Sequence, residues 1–561
     1  MHPDIGLELG ARVARAVQEA LDVRISPAEA LVHPSARADY QCNAAMGLGK
    51  RLGRPSREIA ELIVAHLAAD DLVEPPEVAG PGFVNFTFRA AWLSARAADL
   101  VGDPRLGVPP VAEPRRYVVD YGGPNVAKEM HVGHLRSSVI GDAITRMLAF
   151  AGHEVIRRNH LGDWGTPFGM LIEHLASLGT GTDSGAELSI GDLNGFYQEA
   201  RKKFDADPGF AERARKRVVA LQTGDPATLA LWRGLVAESE RHFAKVYEQL
   251  GVLLDADDSY GESFYNPMLA DTVAELEEKG LTEVSDGAVC VFPPGFTNRE
   301  GDRLPLIVCK SDGGYMYAST DLAAVRYWTR ERGATDLVYV VGTPQSQHFQ
   351  MVFRTAEAAG WLDSSHRAVH VNFGSVLGED GKMLRTRAGG SIKLADLLTE
   401  AVERADGVRA VGVGAVKYAD LSSDRQKDYV FSWDKMLAKE GNTALYLQYA
   451  VARVNKVVEL AGVSTVDAPV LVTHDAERAL LVKLLQLPSV LAAAVEDFAP
   501  HRLCGYLHET AAAFSVFYDR CQIRQARTDE LRASRLVLAQ LSSRVLKTGM
   551  GLLGIEAPAR L

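Results

Sequence analysis

Between Tyr117 and Ile156 the hydrophobic period of the chain changes twice, and few folds accept that pattern. Tyr117-Val-Val-Asp120 is a short β-branched run closed by Gly122-Gly123-Pro124, which reads as a buried strand. After a loop, Leu135, Val139, Ala143, Met147 and Phe150 recur at three- and four-residue steps, and Gly152 stands at the stop, so a helix is predicted. Glu154-Val-Ile156 then opens a second strand. Strand, loop, helix and strand make a βαβ unit. Open α/β sheets bind ligands in the loop beyond the carboxyl end of such a first strand.

The loop ends in His131-Val-Gly-His134. The two histidines are three apart at a helix start, so both imidazoles can face one side. The free N–H groups and dipole of a helix amino end favour an anion, and two imidazole donors beside them can grip a triphosphate. Gly133 leaves room for a base or ribose to approach the backbone. Taken alone, His-x-Gly-His fits equally well an ordinary helix start whose imidazoles cap backbone groups.

The flanking residues weigh against the ordinary reading. His131-Val-Gly-His134 resembles the HIGH signature of class I aminoacyl-tRNA synthetases. Pro124-Asn125-x-Ala127-Lys128 before it, with His134-Leu-Arg-Ser137 and Gly162-Asp-Trp-Gly165 after it, resemble arginyl-tRNA synthetases in particular. The resemblance implies a Rossmann-type doubly wound parallel sheet carrying the catalytic site, an α+β amino-terminal module, and an all-α helical bundle at the carboxyl end.

At 561 residues the chain exceeds one core, and three or four domains are expected. Residues 1–112 read as the α+β module, 113–433 as the catalytic domain with a helical insertion at about 176–253, and 434–561 as the bundle. In the first module, helices over Gly6–Val23 and from Pro55 to Leu67 precede an alternating run, Phe83–Phe88. By resemblance this module touches the tRNA elbow, through Asn85 and Phe88. The insertion carries a Gly/Thr/Ser-rich start at 179–185 and charged helical stretches. The sheet is expected to resume with Leu304–Cys309, Asp336–Val341 and Val369–Phe373.

In the carboxyl-terminal part Asn442, Tyr446, Tyr449 and Arg453 fall at steps of four, three and four, on one helical face. Two phenols, an amide and a guanidinium can stack on and hydrogen-bond splayed RNA bases. The same spacing also fits a helix packed by its tyrosines. The resemblance implies anticodon binding.

Lys382-Met-Leu-Arg-Thr386 stands where class I synthetases carry KMSKS, a mobile loop whose cations stabilise the departing pyrophosphate. Leu384, Arg385 and Thr386 depart from that pattern. Within the resembling family a lysine just before HIGH compensates, a place held here by Lys128, so the chain offers both Lys128 and Arg385. ATP would lie on His131, Gly133, His134, Lys382 and Met383. For the amino acid, a guanidinium is best met by planar carboxylates. By resemblance Asp120, Tyr317 and Asp321 hold it, while Asn125 and Gln345 hold the α-amino end. No stretch resembles an editing domain.

The implied activity is arginine–tRNA ligation. L-arginine is activated with ATP to arginyl-adenylate and pyrophosphate, usually only with tRNA present, and then passed to the 3′ end of arginine-specific tRNA. Mg²⁺ would arrive with ATP as substrate, and no protein-bound metal is expected. Two other classes share some features: a small-molecule nucleotidyltransferase of the HIGH type, which needs no long helical RNA reader, and a non-catalytic RNA-binding paralogue, which needs neither histidine. Lys+Arg 61 against Asp+Glu 72 gives −11, so composition advertises no nucleic acid and excludes none. Five scattered cysteines without a CxxC pair fit a reduced compartment, and the start of the chain lacks a signal-peptide pattern. A cytoplasmic monomer with no membrane span is expected.

Overall fold

The computed structural model describes residues 4–179, 192–385, 391–461 and 468–561, and these fall into two compact units, Val111–Leu437 and Met1–Pro110 with Ala438–Leu561. The sequence reading divides the chain into three modules. Here the amino-terminal module and the carboxyl-terminal helices share one unit, because helices at the carboxyl end hold the module directly. Arg478 pairs with Asp39 at 3.3 Å, and Arg544 donates to the carbonyls of Val101 and Asp103, both at 2.7 Å.

The larger unit is built on four parallel strands in the spatial order Arg367–His370, Asp336–Tyr339, Arg116–Asp120, Glu154–Arg158. The second and third are in register from Asp336 opposite Tyr117, the third and fourth from Arg116 opposite Glu154. From the opening strand Arg116–Asp120 the chain moves first to one side and later to the other. The switch point therefore lies between Asp120 and Tyr339, where doubly wound sheets place a ligand. Each central strand is a near-continuous apolar run, as a strand covered on both faces requires. Helix Val132–Ala151 packs beside them and is buried on almost every side. Gly141 lets it close: a Cβ there would lie 2.3 Å from the Cβ of Tyr121.

One expected strand goes elsewhere. Leu306–Cys309 belongs to a separate antiparallel sheet with Thr282–Ser285 and Ala288–Val291. Its apolar residues made it look like a sheet strand, but it is a short meander appended to the unit. The insertion consists of helices Leu193–Ala206, Pro208–Gln222 and Pro226–Leu250, packed on Thr166–Ser177 around Phe168, Leu171, Phe196, Phe210, Leu231 and Leu235. Residues 180–185 of its expected polar start lie outside the described residues.

In the other unit a four-stranded antiparallel sheet orders Val32–Pro34, Tyr40–Cys42, Phe83–Phe86 and Glu77–Ala79. Helices from Ala444 to Leu552 form the bundle. The stretch Asp475–Glu496 is long and apolar enough to cross a bilayer by length and composition, a pattern not anticipated from the sequence. It is interrupted at Leu485-Gln486 into two helices, and Leu480, Leu481, Leu484, Leu487 and Leu491 are buried in the bundle.

Candidate active site

A cleft of about 360 Å³ opens at the switch point, lined by Asp120, Gly133, His134, Ser137, His160, Glu262, Tyr317, Asp321, Gln345 and His348 among others. Ser137 fixes its floor: its hydroxyl donates to the carbonyl of Val340 at 2.7 Å and accepts from the Gly122 N–H at 2.9 Å. One side chain thus ties the helix to both strand ends.

The histidine pair is set by the helix start. The Gly133 N–H donates to His131 Nδ1 at 3.0 Å, and the His131 N–H donates to His134 Nδ1 at 3.1 Å. A backbone amide can only donate, so both Nδ1 atoms are bare and each neutral ring carries its proton on Nε2. Burial, then the neighbouring His131, drives His134 down to about 3. Burial, then Lys128, lowers His131. Two neutral rings 4.1 Å apart therefore serve as fixed Nε2–H donors. The ordinary capping role and the anion-binding role use different nitrogens of the same rings. Gly133 has a local reason beyond space for a nucleotide: a Cβ there would sit 2.7 Å from His131 Cε1, and the ring could not fold back onto its own helix start.

The acidic end of the cleft gathers three carboxyls. Asp120 is buried at the end of its strand, and Arg158 Nη1 lies 3.2 Å from its Oδ2. Burial pushes Asp120 up to about 6, against the pull of Arg158. Asp321 sits in the second turn of helix Tyr317–Arg326, whose N-cap is Met316, so it is no helix cap. His348 Nε2 donates to it at 2.6 Å. Tyr317, 57% exposed, stands 4.8 Å from the His348 ring.

Glu262 is the third carboxyl, and the sequence reading missed it. Burial, then Asp163 and Asp321, push it up to about 7. It opens helix Glu262–Glu278, which is held by the Gly-Asp-Trp-Gly turn: the Ser263 N–H and hydroxyl donate to Asp163 at 2.9 and 2.6 Å. That turn also pairs with the segment before the histidines, where the Val126 N–H donates to the Gly162 carbonyl. Asp163 was a visible signal; its partner a hundred residues away was not.

Of the residues expected from sequence, the cleft brings together Asp120, Gly133, His134, Tyr317, Asp321 and Gln345. Asn125, Lys128, Lys382, Met383 and Arg385 are exposed and outside its lining, and the half-buried His131 also lies outside it, beside His134. The Lys128 ammonium sits 4.6 Å over the Tyr197 ring of the insertion. The loop bearing Lys382 turns at Gly378–Gly381 and pairs Met383 with Leu377. Thr386 and Arg387 lie outside the described residues. Beyond the loop, Lys393 bridges His131 and its ammonium reaches Glu129 at 2.6 Å, so the segment after the Lys382 loop is tied to the approach to the histidines.

In the other unit Tyr446, Tyr449 and Arg453 share the less buried side of helix Ala444–Ala461, with Arg453 5.3 Å from the Tyr518 ring. Asn442 precedes the helix rather than lying on its face. Asn85 is half-buried and accepts from the Gln41 amide at 2.8 Å. Phe88 corrects an expectation. It is 0% exposed, stacked on Trp92 at 4.7 Å and edge-on to Tyr40, so it is a core side chain with no face for RNA.

The comparisons with known proteins agree with this architecture along the whole chain. Residues 99–433 match the family described as tRNA synthetases class I (R), catalytic domain. Residues 8–88 match the arginyl tRNA synthetase N terminal domain, and 447–561 the DALR anticodon binding domain. This chain belongs to the arginyl-tRNA synthetase family. The arginine–tRNA ligase of Thermobifida fusca is 49% identical over 98% of this chain and 99% of its own. That of Edwardsiella ictaluri is 47% identical over 97% and 98%. Among solved structures, Plasmodium falciparum arginyl-tRNA synthetase superposes with a TM-score of 0.85 at 27% identity, covering 99% of both chains. The Thermus thermophilus enzyme, at 24% identity and a TM-score of 0.77, covers 99% of this chain and 100% of its own and shares the fold.

Proposed function

We propose that this family member is an arginine–tRNA ligase working through the cleft at the switch point. The observation that carries the reading is the polarity of that one cleft. The neutral Nε2–H donor of His134 stands at one end, with the His131 ring 4.1 Å from it and just outside the lining, and Asp120, Glu262 and Asp321 surround the other. Arginine spans it with its guanidinium among the carboxyls and its carboxylate toward the histidines. That carboxylate attacks the α-phosphorus of ATP, the bond to the β-phosphate oxygen breaks, and pyrophosphate leaves with its Mg²⁺. His131 and His134 donate hydrogen bonds where negative charge gathers and exchange no proton. The tRNA's terminal ribose hydroxyl then attacks the adenylate carbonyl and AMP departs. Such chemistry rests on positioning and charge, so no side-chain nucleophile is needed.

Lys382 closes from its loop onto the pyrophosphate, assisted by Lys128 or Arg385. Gln345 and Asn125 hold the α-amino group. Tyr446, Tyr449 and Arg453, with Asn442 at the helix entrance, offer a stacking face for the anticodon loop, and Asn85 a polar contact for the elbow. Arginine-dependent ATP–pyrophosphate exchange, with and without tRNA, tests the reading. Exchange that needs tRNA is the expected result; tRNA binding without any exchange would instead mark a non-catalytic paralogue.

A further inference from the structure

Behind the acidic wall of the cleft lies an arginine of the protein's own. Arg158 ends the strand Glu154–Arg158, directly opposite Asp120 in the parallel register. Its side chain is 1% exposed. Nη1 lies 3.2 Å from Asp120 Oδ2, and Nη2 donates to His160 Nδ1 at 2.6 Å. The guanidinium is flanked by the rings of Tyr265 at 5.3 Å and Tyr339 at 5.9 Å. Among the described residues Nε and Nη1 have no hydrogen-bond partner, and Nη1 has only its ion pair with Asp120. A buried cation so placed cannot reach solvent, and its charge is balanced chiefly by Asp120.

We propose that Arg158 is a positioning residue for amino-acid recognition, an internal counter-cation that keeps Asp120 an aligned carboxylate, so that it meets the substrate's guanidinium together with Glu262 and Asp321. The proposal rests on the arginine-activating reading above. The charge tally supports it. Three carboxyls gather at the end of the cleft that takes the guanidinium, Arg158 pairs with one of them and limits their mutual repulsion, and the α-ammonium is left to Gln345 and Asn125. His160 accepts from Arg158 on Nδ1, so its ring is neutral and adds no charge; burial, then Arg158, holds it down to about 3. The remaining groups facing Asp120 are Asp321, whose charge disfavours a second carboxylate, and the neutral phenols of Tyr247, Tyr265 and Tyr339. Arg158 is the largest influence favouring the ionised form of Asp120, with the His160 backbone N–H a smaller one. Without it, only the His160 backbone N–H opposes burial and Asp321, and Asp120 takes up a proton at neutral pH. The cleft then loses a negative group without losing a side chain.

The test is Arg158→Met in tRNA-supported exchange across pH 6 to 9, with KM measured separately for arginine and ATP. The expected result is a rise in KM for arginine of about tenfold or more at pH 7, with KM for ATP unchanged. The affinity of the variant should keep recovering above pH 8, where that of the wild type has levelled off. Arg158→Lys should restore most of the loss. Asp120→Asn with Arg158→Met should be no worse than Asp120→Asn alone, because the charge being protected is already gone. Equal loss for both substrates, a pH profile parallel to the wild type, or additive losses in the double variant would overturn the proposal. If Arg158→Met fails to fold, Arg158→Lys and the double variant decide it by the same criteria. A wild-type enzyme with no arginine-dependent exchange would refute the functional reading itself.

Discussion

Single side chains set the charge state of this site, and two of them are directly testable. His134 is neutral at any working pH and gives one fixed donor, so His134→Ala should lower the exchange rate about a hundredfold while tRNA affinity in a filter-binding assay stays within about twofold. Glu262 lies at the opposite limit. Its carboxyl, raised by burial to about 7, is largely protonated at pH 6 and ionised at pH 8. A guanidinium binds the carboxylate form, so KM for arginine should fall as pH rises from 6 to 8. Glu262→Gln should raise that KM about tenfold to a hundredfold and flatten its dependence over the same window. A steep profile surviving in Glu262→Gln would assign the titration to another group. Glu262 was illegible in the sequence because it opens an unremarkable helix far along the chain. His131 and His134 were legible because three-residue spacing at a helix start brings them together without any tertiary contact.

At the scale of elements, the site depends on how the histidine-bearing helix is held. Arg136 and Asp420 form an ion pair with side chains 1% and 0% exposed, joining helix Val132–Ala151 to helix Arg409–Leu421. Arg136 also donates to the Lys427 carbonyl and lies over the Tyr429 ring, beside the short strand that pairs with Val376–Leu377 at the root of the Lys382 loop. Asp420→Asn leaves Arg136 buried without its counter-charge and should cost about 3–5 kcal/mol in urea unfolding. The elements were legible where one hydrophobic period ran long enough, as in Val132–Ala151. Leu306–Cys309 misled because a short apolar run is the same whether it enters a parallel sheet or an antiparallel meander; only its partners distinguish the two. Phe88 misled for a similar reason, since an aromatic on an alternating strand has two possible faces, and packing on Trp92 chose the inner one.

At the scale of the molecule, the residues proposed for amino-acid activation and those proposed for anticodon reading fall in different compact units. Tyr446→Ala or Arg453→Ala should therefore weaken tRNA binding about tenfold while KM for arginine at saturating tRNA is unchanged. Aminoacylation at low tRNA should fall and recover as tRNA is raised. Failure to recover would mean these side chains do more than bind RNA.

Local pattern was enough for the doubly wound catalytic unit, its two signature segments and the helical carboxyl end. Each of these rests on a local period or on residues close enough in the chain to be read together. Tertiary structure alone decided the rest. It chose Glu262, Arg158 and His348 as neighbours of Asp120 and Asp321, buried Phe88, set Lys128 against the insertion, and joined the first module to the last helices. Those outcomes depend on which distant faces meet and which charges lose their water. Neither is encoded in the spacing of residues along the chain.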